Sequence, residues 1–253
     1  MAGLDPAIHA VPQTGVDARV KPAHDAGKML MRLLSCLLPA LLFALPAHAQ
    51  VIERFPTQDK VVALTFDACE ARNAPAFFDK PLLDYLEAEK LPFTIFATGL
   101  FARRNAAELT RLSQSPLVEV ENHSHDHPQH MERLSPEQVR AEIDDADSAI
   151  QAATGRKPVF FRFPAGNYDA ATLAAVEATG HRVVHWRWPS GDPAKGLAPE
   201  RLRDWVLSQV RPGDVLIFHI NGRAPATHVA LPQVVRELRR RGYAFARLDE
   251  VVK

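Results

Sequence analysis

The chain has 253 residues, 47% of them hydrophobic, and its 30 Lys+Arg balance 30 Asp+Glu to a formal net charge of zero. That balance excludes an electrostatic nucleic-acid binder, whose basic face would appear as a surplus. The apolar share excludes a disordered chain. The two cysteines, Cys36 and Cys69, are too few for a disulfide scaffold.

In chain order, residues 1–28 are polar and carry no helical or strand period. They are expected to be an extension without a fold, upstream of a true start at Met29 or Met31. Residues 29–49 follow Lys28, contain Arg32 and an apolar core, and end in Ala47-His48-Ala49. That is the pattern of a secretory signal peptide cleaved after Ala49, and the apolar stretch is short for a membrane span. Cys36 precedes most of the apolar core, which argues against a lipoprotein. The expected mature chain, residues 50–253, is one periplasmic or secreted domain. It is expected to be monomeric, to keep no stable membrane anchor and to bind no nucleic acid.

Short apolar runs bounded by turn residues then alternate with helical patterns. Val61–Phe66 reads as a strand and ends in Asp67 within TFDACE. Helices are expected over Pro75–Lys90 and Asn105–Gln114. The strand Leu117–Val120 runs into ENHSHDHPQH, and helix Pro136–Thr154 follows. Val159–Phe161 ends in Arg162 within FRFPAG, before a helix over Ala170–Thr179. Arg182–Trp188 leads into PSGDP with Asp192, before a helix over Pro199–Val210. Val215–Phe218 ends in His219 within LIFHING, before a helix over Thr227–Arg241. Alternation of this kind predicts an α/β fold with a parallel sheet and right-handed crossovers. In a parallel barrel the loops at the carboxyl ends of the strands share one face, where catalysis resides. Carboxylates, histidines and an arginine at five such ends therefore predict a catalytic mouth.

His123 and His127 stand four apart, one helical turn if the chain coils there, and two imidazoles on one face can share a divalent metal. The helical protease motif is excluded, because Ser124 occupies the place of its glutamate and Pro128 opposes a long helix. Ser135-Pro136-Glu137-Gln138 predicts a capping box, Val139, Ile143, Ala146 and Ile150 an apolar stripe, and Gly155 a stop. Asp144, Asp145 and Asp147 fall largely off that stripe and are expected on a solvated face. Arg239-Arg240-Arg241 reads as a solvated last turn.

The ordered set TFDACE, HSHDH, RFPAG, SGDP and FHIN resembles the polysaccharide deacetylase family, also called the NodB homology domain or carbohydrate esterase family 4, over Val61 to Val252. The resemblance implies a distorted (β/α) barrel that hydrolyses N-acetyl, in some members O-acetyl, groups on chitin-like sugars, peptidoglycan or xylan. It implies that Asp67 is the general base, Arg162 its ion-pair partner, His219 the acid that protonates the departing amine, and Asp192 the residue that tunes it. It also implies that His123 and His127 hold a divalent metal, zinc or cobalt. Pro164, Gly166, Tyr168 and Trp188 are the expected sugar contacts. Capping of the next helix is an equal alternative for Tyr168, and core packing for Trp188.

One departure matters. The family's second aspartate, its third metal ligand, is Ala68 here, and a methyl group binds no metal. Asp67 or Glu70 is the favoured replacement; Asp126, His125 and His130 are further candidates. Cys69 reads as a small semi-buried residue rather than a nucleophile or thiolate ligand. Arg187 stands where some relatives carry an acidic residue. Three functions remain in order: a metal-dependent N-deacetylase of amino-sugar polymers, a metal-independent amide or imide hydrolase, and a glycan-binding relative without catalysis.

Overall fold

The computed structural model describes residues 50–253; the readings of residues 1–28 and 29–49 lie outside the described residues. Among these, seven strands form a single sheet: β1 (Val61–Ala68), β2 (Phe93–Ala97), β3 (Val118–Asn122), β4 (Phe160–Phe161), β5 (Arg182–Val183), β6 (Val215–His219) and β7 (Ala244–Ala246). All pairings are parallel, in the order β5-β4-β3-β2-β1-β6, with β7 added to the start of β1. The helices are α1 (Lys80–Ala88), α2 (Gly99–Arg104), α3 (Ala106–Ser113), α4 (Pro136–Thr154), α5 (Ala170–Glu177), α6 (Pro199–Gln209), α7 (Thr227–Arg240) and α8 (Leu248–Val251). This is the expected α/β fold, a curled parallel half-barrel clothed by helices. Between β5 and β6 the N-terminal segment laces the gap. Ile52 N–H donates to Val183 O at 2.9 Å, and Phe55 N–H donates to Gly213 O at 2.9 Å.

The pleat of β1 explains how the mouth is furnished. Val62, Leu64, Phe66 and Ala68 belong to the apolar core shared with the helices, while Ala63 belongs to a separate cluster with Phe96, Phe160 and Val184. Successive side chains of a strand point to opposite faces, so Thr65 and Asp67 share the inner face with Ala63. Asp67 therefore looks into the barrel and Ala68 into the outer core.

Several elements differ from expectation. β2 and α2 were not anticipated: FTIFA is a brief apolar run with no polar motif at its end, and α2 is a single short stretch. The first helix begins at Lys80 rather than Pro75, because Asp79 caps it by accepting from Leu82 N–H at 3.2 Å. The run Arg182–Trp188 leaves the sheet early, only Arg182–Val183 being strand. In α4 the capping box, the buried stripe and left-handed Gly155 (φ 74°) are all present. Asp147, expected in solvent, is buried instead. It accepts from Asn122 Nδ2 at 2.8 Å and faces His181 Nε2 at 3.1 Å.

Candidate active site

The carboxyl ends of the strands bring Asp67, His123, Arg162 and His219 to one side of the barrel, and Asp192 joins them from the loop after β5. A cleft of about 370 Å³ opens there, with Asp67, Cys69, His127, Trp186, Asp192 and His219 in its wall.

Asp67 is held from beneath. Arg162 is completely buried, and its Nη1 donates to Asp67 Oδ1 at 2.7 Å while Nη2 donates to Thr65 Oγ1 at 3.0 Å. Its Nε donates to Val184 O at 3.2 Å, and the guanidinium lies 3.9 Å from the centre of the Phe96 ring. Burial pushes the Asp67 carboxyl up, but Arg162, His123 and His219 together bring it below its ordinary value. Asp67 is thus a carboxylate with one oxygen occupied by Arg162. Its Oδ2 lies 3.5 Å from His123 Nε2.

The two histidines of HSHDH converge, but not through a helical turn. Ser124 and His127 both adopt left-handed backbone (φ 66° and 61°), which is strained for residues with a side chain. Local polar groups hold this turn. Ser124 N–H donates to Asn122 Oδ1 at 2.8 Å, and His127 N–H to Ser124 Oγ at 3.2 Å. His125 and Asp126 N–H both donate to Glu142 Oε2, at 2.8 and 3.0 Å. The imidazole centres of His123 and His127 end 5.0 Å apart. His123 Nδ1 sits 2.8 Å from Arg162 O, which fixes the proton on that nitrogen. Its Nε2 is buried and makes no hydrogen bond, with Asp67 Oδ2 3.5 Å away.

Across the cleft, His219 Nδ1 lies 2.8 Å from Asp192 Oδ1. Asp192 is fully buried, and its Oδ2 accepts from His219 N–H at 2.7 Å and from Thr227 Oγ1 at 2.8 Å. Burial alone would push the His219 imidazole down; the Asp192 carboxylate outweighs it and holds the ring well above its ordinary value. His185, next to Trp186, goes the other way. Burial and the Arg162 charge lower it to about 3, so it is neutral.

The remaining expected residues divide. Glu70 is turned away from the histidines: Arg104 Nε donates to both of its oxygens, at 2.8 and 2.9 Å, and Ala76 N–H donates at 3.2 Å. Asp126 pairs with Arg72, and His130 with Glu132; His125 packs beside Gly99 of α2. Arg187 leaves the mouth for Asp214, donating from Nη2 at 3.0 Å. Trp188 is core: it is buried among the outer cluster, and its Nε1 donates to Asp214 Oδ2 at 3.2 Å. The alternation of the two tryptophans puts Trp186 in the cleft wall instead. Pro164, Gly166 and Tyr168 stand behind the wall rather than in it; their neighbour Ala165 lines the cleft. Tyr168 stacks on Phe163 with ring centres 5.2 Å apart. Gly166 (φ 74°) lies against Trp186, where a Cβ would meet the indole at 3.2 Å.

Sequence reading gave Asn122 no role and put Asp147 in solvent; the spacing of Trp186 and Trp188 put the two on opposite faces without deciding which lines the cleft. Cys69, expected to be semi-buried, is buried, and its Sγ lies in two clusters. One groups it with His123 and His127 and the other with Asp67 and His219, ligand atoms within 4.8 Å of one another in each. Burial pushes the thiol up, and the surrounding imidazoles, His123 first, bring it well below its ordinary value.

The family model for polysaccharide deacetylase matches residues 54–184. A bifunctional xylanase/deacetylase of Pseudobutyrivibrio xylanivorans is 29% identical over 192 residues, 76% of this chain and 30% of that protein. The chain thus spans under a third of that relative's length. A peptidoglycan-N-acetylglucosamine deacetylase of Bacillus cereus is 25% identical over 201 residues, 78% of this chain and 91% of that protein. Among solved structures, a CE4 family pseudoenzyme from Bacillus anthracis superposes with a TM-score of 0.71 at 23% identity, covering 81% of this chain and 69% of that one. The match of the family model to more than half of the sequence makes this chain a member of the polysaccharide deacetylase family.

Proposed function

We propose that the chain is a periplasmic or secreted deacetylase that hydrolyses N-acetyl groups of amino-sugar polymers of chitooligosaccharide or peptidoglycan type, with the help of a divalent metal. The observation that carries this reading is a pair of opposed ion pairs across one cleft. Arg162 favours an ionised Asp67, and Asp192 favours a protonated His219. A base and an acid poised in those states are what amide hydrolysis needs, and a merely sugar-binding groove needs neither.

The residues present fit a metal. His123 Nε2 is a buried nitrogen with no partner, and the opposite nitrogen of its ring is satisfied by a backbone carbonyl, the orientation of a metal-ligating histidine. His127 is beside it, the two ring centres 5.0 Å apart, and the Gln129 side-chain nitrogen lies 3.0 Å from its Nδ1. A zinc or cobalt ion held by His123 and His127 would supply Lewis acidity for the developing oxyanion and a more acidic water.

The protein's own part follows from the geometry. Asp67 Oδ2, the oxygen not taken by Arg162, accepts a proton from the attacking water. Hydroxide adds to the acetamido carbonyl carbon. His219 gives its Nε2 proton to the sugar nitrogen as the C–N bond breaks, and Asp192 holds the ring and steadies its charge. Acetate and a free amine leave. Trp186 offers an apolar wall to the sugar ring.

The test is acetate release from N-acetylglucosamine oligomers, peptidoglycan and acetylated xylan. Release that a chelator abolishes and zinc or cobalt restores supports the proposal. Release indifferent to chelator replaces it with the metal-independent hydrolase that Ala68 permits. Glycan binding with no release, as expected of a pseudoenzyme, overturns it. An N-terminus at Gln50 in protein recovered from the periplasm or medium tests the location.

A further inference from the structure

Two imidazoles bring no negative charge to a divalent cation, and zinc sites with an open position use three protein ligands. Both oxygens of Glu70 are taken by Arg104 and Asp126 pairs with Arg72, while Asp67 gives one oxygen to Arg162 and keeps the other, 3.5 Å from His123 Nε2, as the base. Ala68 points into the outer core. The next residue, Cys69, lies two beyond Asp67 and so falls on the same side of the pleat. It ends in the cleft wall with its Sγ, His123 and His127 grouped within 4.8 Å. Tetrahedral ligands at ordinary Zn–S and Zn–N bond lengths lie about 3.5 Å apart, so modest side-chain rotation closes the set. The unpartnered, buried Nε2 of His123 independently marks the place.

We propose that Cys69 supplies, as a thiolate, the third protein ligand of a metal site completed by His123 and His127. The inference rests on the metal-assisted reading of the mouth. On binding, the thiol loses its proton to solvent, sulfur bonds the metal, and a fourth position stays open to water or substrate. One soft sulfur and two nitrogens select zinc and cobalt(II) over magnesium, calcium and manganese. The second cluster, with Asp67 and His219, would suit a cysteine nucleophile, but that role leaves His123 and His127 without purpose.

The experiment is the electronic absorption spectrum of the purified chain loaded with cobalt(II), beside its zinc content and affinity. The expected result is the visible bands of four-coordinate cobalt together with a near-ultraviolet sulfur-to-cobalt charge-transfer band. Cys69→Ser should lose that band and bind zinc about tenfold or more weakly, by analogy with other lost ligand-shell contacts. Cys69→Asp should lose the band but regain zinc. Cobalt bound through His123, judged by loss in His123→Ala, with no charge-transfer band overturns the role of Cys69 and leaves the metal reading standing. No uptake of zinc or cobalt by the unaltered chain overturns both. A hydroxylamine-sensitive acetyl-thioester on Cys69 in metal-free protein also overturns it, assigning the sulfur as nucleophile. Because the spectrum is read on the unaltered chain, the outcome does not depend on any variant folding.

Discussion

An imidazole free in water is mostly unprotonated at neutral pH, yet a departing amine needs an acid, and Asp192 resolves that conflict for His219. The groups facing the ring are Asp192 at 2.8 Å and, across the cleft, Asp67 and Cys69. Burial works against the charged ring and the Asp192 carboxylate prevails, so the folded value is raised. Removing that charge must lower it, and the acid is then lost at a lower pH. Asp192→Asn, which keeps an oxygen to accept from His219, should shift the basic limb of the pH profile of kcat/KM toward acid. It should also lower kcat by about 10²–10³-fold, the usual worth of a positioned acid. A kcat that falls without movement of the limb would make Asp192 a packing residue. The gathering of Asp67, Arg162 and His219 at one mouth was legible in the chain because each ends an apolar run. The place of Cys69 was not, because a single sulfur has no pattern until strands far apart in sequence surround it.

At the scale of elements, β3, the histidine turn and α4 act as one unit. Asn122, the last residue of β3, donates from Nδ2 to Ile143 O at 3.0 Å and to Asp147 Oδ1 at 2.8 Å. Its Oδ1 accepts from Ser124 N–H, so one buried amide ties α4 to the strained start of the turn. Removing it strands buried polar groups, at about 1–3 kcal/mol, and releases the left-handed backbone that aims His123 and His127. Asn122→Ala should therefore lose that much stability in thermal melts. It should also weaken zinc binding about 10–100-fold in a competition titration, as second-layer losses do. Unchanged zinc affinity in a folded variant would detach the network from the site. The capping box of α4 was readable because its partners are three residues apart. Asp147 was misread as solvated because its partners come from β3 and the chain before β5, and helical periodicity carries no information about them.

The whole molecule carries a pH liability away from the mouth. Glu119 and Glu121 share one face of β3, both buried. Glu121 Oε2 accepts from Val159 and Phe160 N–H at 2.8 and 2.6 Å, and Glu119 Oε2 from Thr94 Oγ1 at 2.6 Å. Burial and the neighbouring Glu119 hold the Glu121 carboxyl well above its ordinary value. A carboxyl raised in the folded state contributes stability below its unfolded value and loses that contribution as pH rises through the folded one. Glu121→Gln, whose oxygen still accepts from β4, should melt on the order of a few degrees higher than the parent at pH 8. The two should converge near pH 4; a constant gap would mean the pair does not titrate. By itself the sequence determined the α/β alternation, the ordered motifs at the strand ends and the caps of the long helix, because those depend on residues close in the chain. Only the tertiary structure decided that Ala68 faces the outer core and Cys69 the cleft, that Trp186 rather than Trp188 lines it, and that Glu70 belongs to Arg104. Those outcomes depend on which face of a strand closes against which neighbour, and that is settled by packing between segments distant in sequence.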